Sequence, residues 1–374
     1  MKINKTDLVV KASVLEEGLV EEVVKIIEDN PRLFDDEKVV LMADAHKTGG
    51  IPVGFTMTLS KGLIPVDYVS ADMFCGVSAY LIEDYVPTQQ QLKSLSYIIR
   101  DLVQVNRRFD NYTDEITDFG TIGNGNHFLE IGTNGKDTLI SVHSGSRNYG
   151  GDMFKKHKKI AIEHTKEYYQ KERKEALDAI EPKERQNYLK SLPKVSNLPL
   201  LDTKLYPEYW IELSYTRDFA MDNRVFILDV IAKFLGLKIK EEPIDTVHNY
   251  VDTSGKIPVV RKGSIKANEG DTVLIPINMK DGIIVGKVSS TEEVNYSLPH
   301  GAGRVLSRSR AFNELDEQTF VEDMRDVVSA TVGAQTLDES PRAYKSLDVI
   351  LKDIEPYLSE YEIFKSIFNY KGVD

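Results

Sequence analysis

Apolar positions along the first part of the chain follow more than one period. Leu19, Val20, Val23, Val24, Ile26 and Ile27 recur at helical spacing within residues 15–30, and Pro31 stops the run. Val39-Val40-Leu41-Met42 is a short continuous apolar run, which predicts a strand feeding Asp44-Ala45-His46-Lys47-Thr48-Gly49-Gly50. A second apolar stretch, residues 64–69, leads into Asp72-Met73-Phe74-Cys75-Gly76. Leu92, Leu95, Ile99, Leu102 and Val103 mark an amphipathic helix. The glycine-rich residues 120–125 open onto Asn126-His127-Phe128-Leu129-Glu130. Leu139-Ile140-Ser141-Val142 predicts a buried strand that delivers His143-Ser144-Gly145-Ser146-Arg147.

Residues 153–190 change character: lysine and glutamate dominate, and the pattern predicts solvated helix. Lys155, Lys156, His157, Lys158 and Lys159 cluster there, expected as a solvated face rather than a phosphate contact. A long helix is expected over residues 215–234. Short strands should fill 257–290, with turns at Glu269-Gly270 and Asp281-Gly282. The C-terminal part is expected to be mainly helical. No repeat or low-complexity linker divides the chain. The economical architecture is one intertwined α+β domain over residues 1–374, with a mainly helical insertion at 153–235.

Composition narrows the function classes. A chain of 374 residues that is 41% hydrophobic can bury a sizeable core. A formal charge of -12 argues against indiscriminate nucleic-acid binding, yet allows a local basic groove. One cysteine permits no intramolecular disulfide and suits a reducing compartment. With no signal-peptide core at Met1–Asp7 and no membrane-length apolar run, a soluble cytoplasmic monomer is expected.

The densest chemistry lies at Ser297-Leu298-Pro299-His300-Gly301-Ala302-Gly303-Arg304, continuing to Arg308 and Arg310. Imidazole can act as base, ligand or nucleophile. Two glycines admit a ligand close to the backbone, and forked guanidinium groups suit phosphate. Taken alone, this is equally a surface turn followed by a basic helix.

Seven histidines occur. His157 and His164 lie in the charged region and are expected as ordinary surface residues. The others sit just after apolar or glycine-rich segments. Cys75 follows Asp72 by three residues; a buried cysteine is most often a small hydrophobe. Taken together, Asp72, Cys75, His127, His143 and His248 supply five potential ligands, enough for two ions with the thiolate bridging. Thiolate and imidazole suit zinc, and the carboxylate leaves manganese open.

These residues also carry a resemblance. The chain resembles the RtcB family of RNA-splicing ligases through Asp44-Ala45-His46, Asp72-x-x-Cys75-Gly76, Gly123-Asn124-Gly125-Asn126-His127-Phe128-Leu129-Glu130 and His143-Ser144-Gly145-Ser146-Arg147. His248-Asn249-Tyr250, Arg261-Lys262-Gly263, His300-Gly301-Ala302-Gly303-Arg304, Pro341-Arg342-Ala343-Tyr344-Lys345 and Lys371-Gly372 continue it in the same order. The resemblance implies a metal-lined cleft with two Mn2+ ions, one on Asp72, Cys75 and His127 and the other on Cys75, His143 and His248. It implies that His300 attacks GTP, forming a histidine–GMP phosphoramidate. The GMP would then activate an RNA 3′-phosphate, itself obtained from a 2′,3′-cyclic phosphate where needed, for attack by a 5′-hydroxyl end.

Guanylate contacts are implied at Asn126, His127, Phe128, Leu129, Glu130, His248, Asn249, Pro276, Ile277, Asn278, Met279, His300, Gly301, Ala302, Gly303, Tyr344 and Lys371. Glu130 would accept from the guanine N–H groups, and Tyr344 would stack on or hydrogen-bond the base. Arg147, Arg261, Lys262, Arg304, Arg308 and Arg310 are candidates for one RNA-contacting groove. Any activating protein partner is left open. The chain departs from the family where Pro276-Ile277-Asn278-Met279-Lys280 replaces Pro-Gly-Ser-Met-Gly. It departs again at Ile283, in place of a serine, and at Lys47-Thr48. Such changes suit a divergent branch that repairs a particular cleaved RNA. Two other classes compete: a metal-dependent phosphoesterase, which would not need His300, and a silent RNA-binding protein, which would need neither ligands nor nucleophile.

Overall fold

The short apolar runs become strands of two large sheets in the computed structural model, which describes residues 1–48, 50–105, 118–191 and 198–373, with backbone alone at 100–105, 190, 191 and 373. The first sheet has six strands in the order Lys2–Ile3, Thr6–Val10, Lys38–His46, Val53–Thr58, Val259–Lys262 and Tyr250–Asp252. Only the pairing of Thr6–Val10 with Lys38–His46 is parallel in this sheet. The second has seven strands in the order Ile244–Val247, Gly76–Ile82, Thr138–Ser144, Asn124–Thr133, Leu358–Val373, Gly282–Val288 and Thr272–Asn278. It curls into a nearly closed, barrel-like sheet within an α+β fold. Its two ends approach where Thr246 Oγ1 donates to the Leu274 carbonyl at 3.4 Å.

Strand alternation decides what enters the barrel. Val77, Ala79, Phe128, Leu139, Leu274, Ile283 and Phe364 form its inner apolar cluster. Tyr80, Leu129, Ile131, Ile140 and Val142 face the other way, packing with Ile227, Leu228 and Ile231 of the helix Glu208–Phe234. The continuous run at residues 139–142 is therefore covered on both faces. In the register Phe128↔His143 and Val77↔His143, the alternation places His143 on the inner face.

The first helix spans Leu19–Asp29 and buries Leu19, Val23 and Ile27; Pro31 opens a further turn, Pro31–Phe34. Leu92, Leu95 and Ile99 are buried in the helix Gln89–Val105, whereas the side chains of Leu102 and Val103, like Gly49, lie outside the described residues. Residues 64–69 are not one element: Leu63–Pro65 is a strand and Val66–Val69 a helical turn.

Two expectations need correction. The C-terminal part does hold short helices, but it ends in the 16-residue strand Leu358–Val373, which joins Asn124–Thr133 to Gly282–Val288. Its start is exposed at residues 359–362 while residues 368–372 are buried on both faces, and two register shifts on the side facing Asn124–Thr133 obscure its period in the sequence. His157 and His164 are not surface residues. The helix Arg147–Asp178 buries both, with Gly150, Ala161 and Thr165, along a narrow stripe. His157 Nε2 lies 2.7 Å from Glu212, so the burial is polar and invisible to hydrophobic periodicity. Lys155 and Lys159 do stay exposed, while Lys156 and Lys158 pair with Glu212 and Asp67. No helix among the described residues is long and apolar enough to cross a membrane.

Candidate active site

Backbone pairing gathers the metal-capable side chains. Gly76 pairs with Val247 at one sheet position, and the N–H of His248 donates to the Cys75 carbonyl at 2.8 Å. Cys75 and His248 therefore meet at adjacent strand ends, with His143 arriving on the next strand. His143 Nε2 lies 3.1 Å from Cys75 Sγ and 3.4 Å from His248 Nε2. On the other side, His127 Nε2 lies 3.2 Å from Cys75 Sγ and 2.8 Å from Asp72 Oδ2. Two triads result, Cys75–His143–His248 and Asp72–Cys75–His127, each with ligand atoms within 4.8 Å of one another.

Their chemistry suits a cation. His143 Nδ1–H donates to the Asn126 carbonyl at 3.2 Å, which leaves the Nε2 lone pair facing the thiol. Burial pushes the His143 and His248 imidazoles well below their usual range, keeping them neutral. Burial, with Asp72 alongside, pushes the Cys75 thiol well above its usual range. Burial alone would raise the Asp72 carboxyl, but His127, Cys75 and Arg147 hold it below the usual carboxylate range. A carboxylate and a thiol converging on imidazole lone pairs form a donor set that a divalent ion would complete.

His300 follows the strand Ser297–Pro299 and stands beside this cluster, its ring centroid 4.5 Å from that of His248. Its Nδ1–H donates to Asp44 Oδ2 at 2.6 Å, and its backbone N–H reaches the same oxygen at 3.2 Å. In the neutral ring, this arrangement places the lone pair on Nε2. Asp44 is fully buried near the end of Lys38–His46. Lys345 donates from Nζ to the Ala43 carbonyl at 2.6 Å and the Ala45 carbonyl at 3.4 Å, fixing the backbone on both sides of Asp44. Gly303 has φ 72°, and a Cβ there would sit 2.3 Å from the Asp44 carbonyl oxygen. Only glycine lets the His300 loop lie this close.

A cavity opens from His300. Its wall comprises His46, Val53, Asn126, Phe128, Glu130, His143, Pro276, Ile277, Asn278, Met279, His300, Gly301, Ala302, Gly303, Arg304, Arg308, Tyr344, Asn369 and Lys371. Glu130 is deep in it: Oε2 accepts from Asn369 Nδ2 at 2.7 Å, and the buried Oε1 has no partner among the described residues. Burial pushes its carboxyl up to about 8, against the opposing pull of Asn369 and Lys371. Lys371 Nζ and the Tyr344 hydroxyl both donate to Glu339, at 2.9 and 2.6 Å.

The family model for the tRNA-splicing ligase RtcB matches residues 100–372. The chain belongs to the RtcB family. It is 30% identical over 266 residues to the RNA-splicing ligase RtcB of Escherichia coli (strain K12), a match covering 67% of this chain and 60% of that one. It is 26% identical over 269 residues to the tRNA-splicing ligase RtcB of Nanoarchaeum equitans, covering 62% and 55%. It is also 26% identical over 267 residues to that of Aeropyrum pernix, covering 61% and 54%. The match thus spans 60% or less of these curated relatives' length.

Within this RtcB chain, most implied guanylate residues line the one cavity, but some do not. The Leu129 side chain packs outward under the helix Glu208–Phe234 because it alternates with Phe128 and Glu130. Asn249, at φ 62°, accepts from the Gly263 N–H and donates to the Asp72 carbonyl. It braces two loops from outside the wall. Asn278 reaches the wall, but its amide is tied to its own turn, accepting from the N–H groups of Lys280 and Asp281. Ile277 and Ile283 are buried, so at these two departures a glycine and a serine of the family give way to apolar packing, while the matching Met279 is buried beside them. Lys47 is bound to Glu22, and Thr48 to the Ile51 carbonyl.

The implied RNA groove is only partly assembled. Arg261 is fully buried: it pairs with Asp252 at 2.9 Å and donates to Ser297 Oγ, so its charge is not presented to a phosphate. Arg304 lines the cavity yet is bound to Glu339, Tyr344 and the Asp338 carbonyl. Arg308 stands at the mouth, half exposed and paired with Asp338 at 2.7 Å. Arg147 donates to Thr121 Oγ1 at 3.1 Å beside Asp72. Lys262 lies apart, near Asp67 and Lys158, and Arg310 pairs with Glu314 on the outer helix.

Sequence reasoning gave no role to Asp44, Asn369 or Glu339. The acid two residues before His46 was quoted for the resemblance, but nothing local links it to His300, 256 residues away.

Proposed function

We propose that this chain is a GTP- and Mn2+-dependent RNA ligase. It joins RNA 3′-phosphate or 2′,3′-cyclic phosphate ends to 5′-hydroxyl ends through a histidine–GMP intermediate. The observation that carries this reading is the placement of the His300 imidazole. Asp44 holds its Nδ1, and the ring is set between the two metal-capable triads and a cavity whose wall carries the unpartnered Oε1 of Glu130. Residues 1–374 act as one catalytic domain in this proposal, with 153–235 as a mainly helical insertion.

Asp72, Cys75 and His127 would hold one ion, and Cys75, His143 and His248 the other. Metal bound there neutralises phosphate charge and lowers the pKa of a bound hydroxyl. Asp44 holds His300 Nδ1–H, so Nε2 attacks the α-phosphorus of GTP; the N–P bond forms as pyrophosphate leaves. Asp44 also stabilises the positive charge that the ring gains. The GMP passes to the RNA 3′-phosphate, and the 5′-hydroxyl then attacks that phosphate and expels GMP. Arg304 and Arg308 offer charge-assisted bonds to the reacting phosphates, once released from Glu339 and Asp338. The matched relatives' names as RNA- or tRNA-splicing ligases support the substrate class.

Two expected results test the residue roles. Asp44→Asn leaves nucleotide affinity intact but slows adduct formation by on the order of 10²- to 10⁴-fold, as loss of an imidazole-orienting carboxylate does elsewhere. Rapid-quench kinetics with labelled GTP measures it; an unchanged rate would remove Asp44 from the mechanism.

Glu130 supplies a pH signature. Its carboxyl titrates at about 8, so it is largely protonated below that and ionised above it. Only the ionised form accepts from both guanine N–H groups. GTP affinity should therefore rise by roughly tenfold or more from pH 6.5 to 8.5, as one linked proton is released. Lys371, Asn369, Ser366 and Asp281 are the groups that bias this titration. In Glu130→Gln the rise should disappear, together with the preference for GTP over ATP. An identical pH profile in wild type and variant would contradict the assignment.

A further inference from the structure

We infer that Asn223 and Arg224, adjacent on the helix Glu208–Phe234, are positioning residues that staple together all the segments bearing the metal ligands. This rests on the metal reading above. Both side chains are buried inside an otherwise apolar helix face. The Arg224 fork donates from Nη1 to the Phe74 carbonyl at 2.9 Å and the Ser144 carbonyl at 3.0 Å. Those carbonyls lie one residue before Cys75 and one after His143. Nε donates to Ser78 Oγ at 2.7 Å, and Nη2 to both Asp245 oxygens at 2.9 and 3.2 Å. Asp245 lies on the strand that ends just before His248. Asn223 Oδ1 accepts from the Gly120 N–H at 2.6 Å, and Nδ2 donates to the Thr121 carbonyl at 3.0 Å and to Ser144 Oγ at 3.1 Å. Gly120 and Thr121 begin the segment that runs into His127.

Two consecutive helical residues thus touch the chain beside the Asp72–Cys75 loop and on the approaches to His127, His143 and His248. Each ligand set needs atoms from separate segments, so its geometry depends on how firmly those segments are held together. A guanidinium is suited to this: one rigid fork satisfies two carbonyls and a carboxylate at once, whereas an ammonium cannot span them. Asp245 balances its charge, so the staple adds no unpaired charge behind the ions.

The test is metal binding itself, on the full chain, titrating Co2+ and Mn2+ by calorimetry and reading the thiolate-to-Co2+ absorption band. Arg224→Lys keeps the charge and loses the fork; it should weaken metal affinity by about 10- to 100-fold and reduce the thiolate band, the range expected for loss of ligand-supporting bonds. Asn223→Ser spares the ion pair and covers the case in which the arginine variant does not fold. It should weaken chiefly the ion on Asp72, Cys75 and His127, by about tenfold. Glu212→Gln is the control: it breaks the buried His157 pair on the same helix without touching a ligand segment, and should bind metal as wild type does. The staple is refuted if folded Arg224→Lys and Asn223→Ser bind like wild type, or if Glu212→Gln loses as much affinity as they do. Wild type that binds neither cation would overturn the metal reading, and the staple with it.

Discussion

His300→Ala is expected to abolish RNA joining under the ligase reading while leaving the metal-capable residues untouched. No other imidazole among the described residues combines a buried carboxylate on Nδ1 with a place on the cavity wall beside the metal-capable cluster. His46 lines the same cavity, but its Nδ1 is spent on the Asp44 carbonyl, and burial lowers its basicity. Removing a covalent nucleophile should therefore cost at least about 10⁴-fold in joining rate, since nothing nearby can replace it. Multiple-turnover ligation of an RNA with 3′-phosphate and 5′-hydroxyl ends measures the loss. Metal content, determined in parallel, should equal that of wild type. A variant that still joins RNA within tenfold of wild type would remove His300 from the chemistry. One that opens 2′,3′-cyclic phosphates but never joins ends is expected under the ligase reading. Wild type that only hydrolyses, with or without His300, would instead identify a phosphoesterase.

Cys75→Ser carries the second large effect, because Sγ is the one ligand atom common to both triads. It lies 3.2 Å from His127 Nε2 and 3.1 Å from His143 Nε2, so a single substitution perturbs both sets together. His127→Ala should weaken only one ion and His248→Ala only the other. A serine hydroxyl is a poor, un-ionised bridge where a thiolate is a good one. Activity should fall by on the order of 10³-fold, the rate equivalent of about 4 kcal/mol of lost charge stabilisation. Calorimetric titration should show both binding events lost in Cys75→Ser and one retained in each histidine variant. Two intact binding events in Cys75→Ser would separate the ions from this cluster.

How much of this was legible in the sequence follows from what local pattern can encode. Cys75, His127, His143 and His248 stand out because each sits just after an apolar or glycine-rich segment, and the fold places all four at or beside the ends of strands Gly76–Ile82, Asn124–Thr133, Thr138–Ser144 and Ile244–Val247. Their division into the two triads comes from the family resemblance rather than from local pattern, because it depends on strand register. The role of Asp44 was hidden for the same reason: its contact with His300 spans 256 positions. Asn223-Arg224 places two polar residues among the apolar ones of a helix, a local signal whose partners lie on distant segments. Arg261 belongs to a segment that matches the family, but its partner Asp252 lies nine residues away across a hairpin, so its burial as an ion pair is not visible in local sequence. The strand Leu358–Val373 has no single period, because its start is exposed, residues 368–372 are buried on both faces, and its register slips.

The most direct test of the central claim is to incubate the purified chain with GTP labelled in the α-phosphate and MnCl2, and then to separate it under denaturing conditions. The account predicts label on the protein that survives base, is lost in acid, is absent from His300→Ala, and is released as GMP when RNA ends are joined. No label on protein that demonstrably holds metal would contradict it.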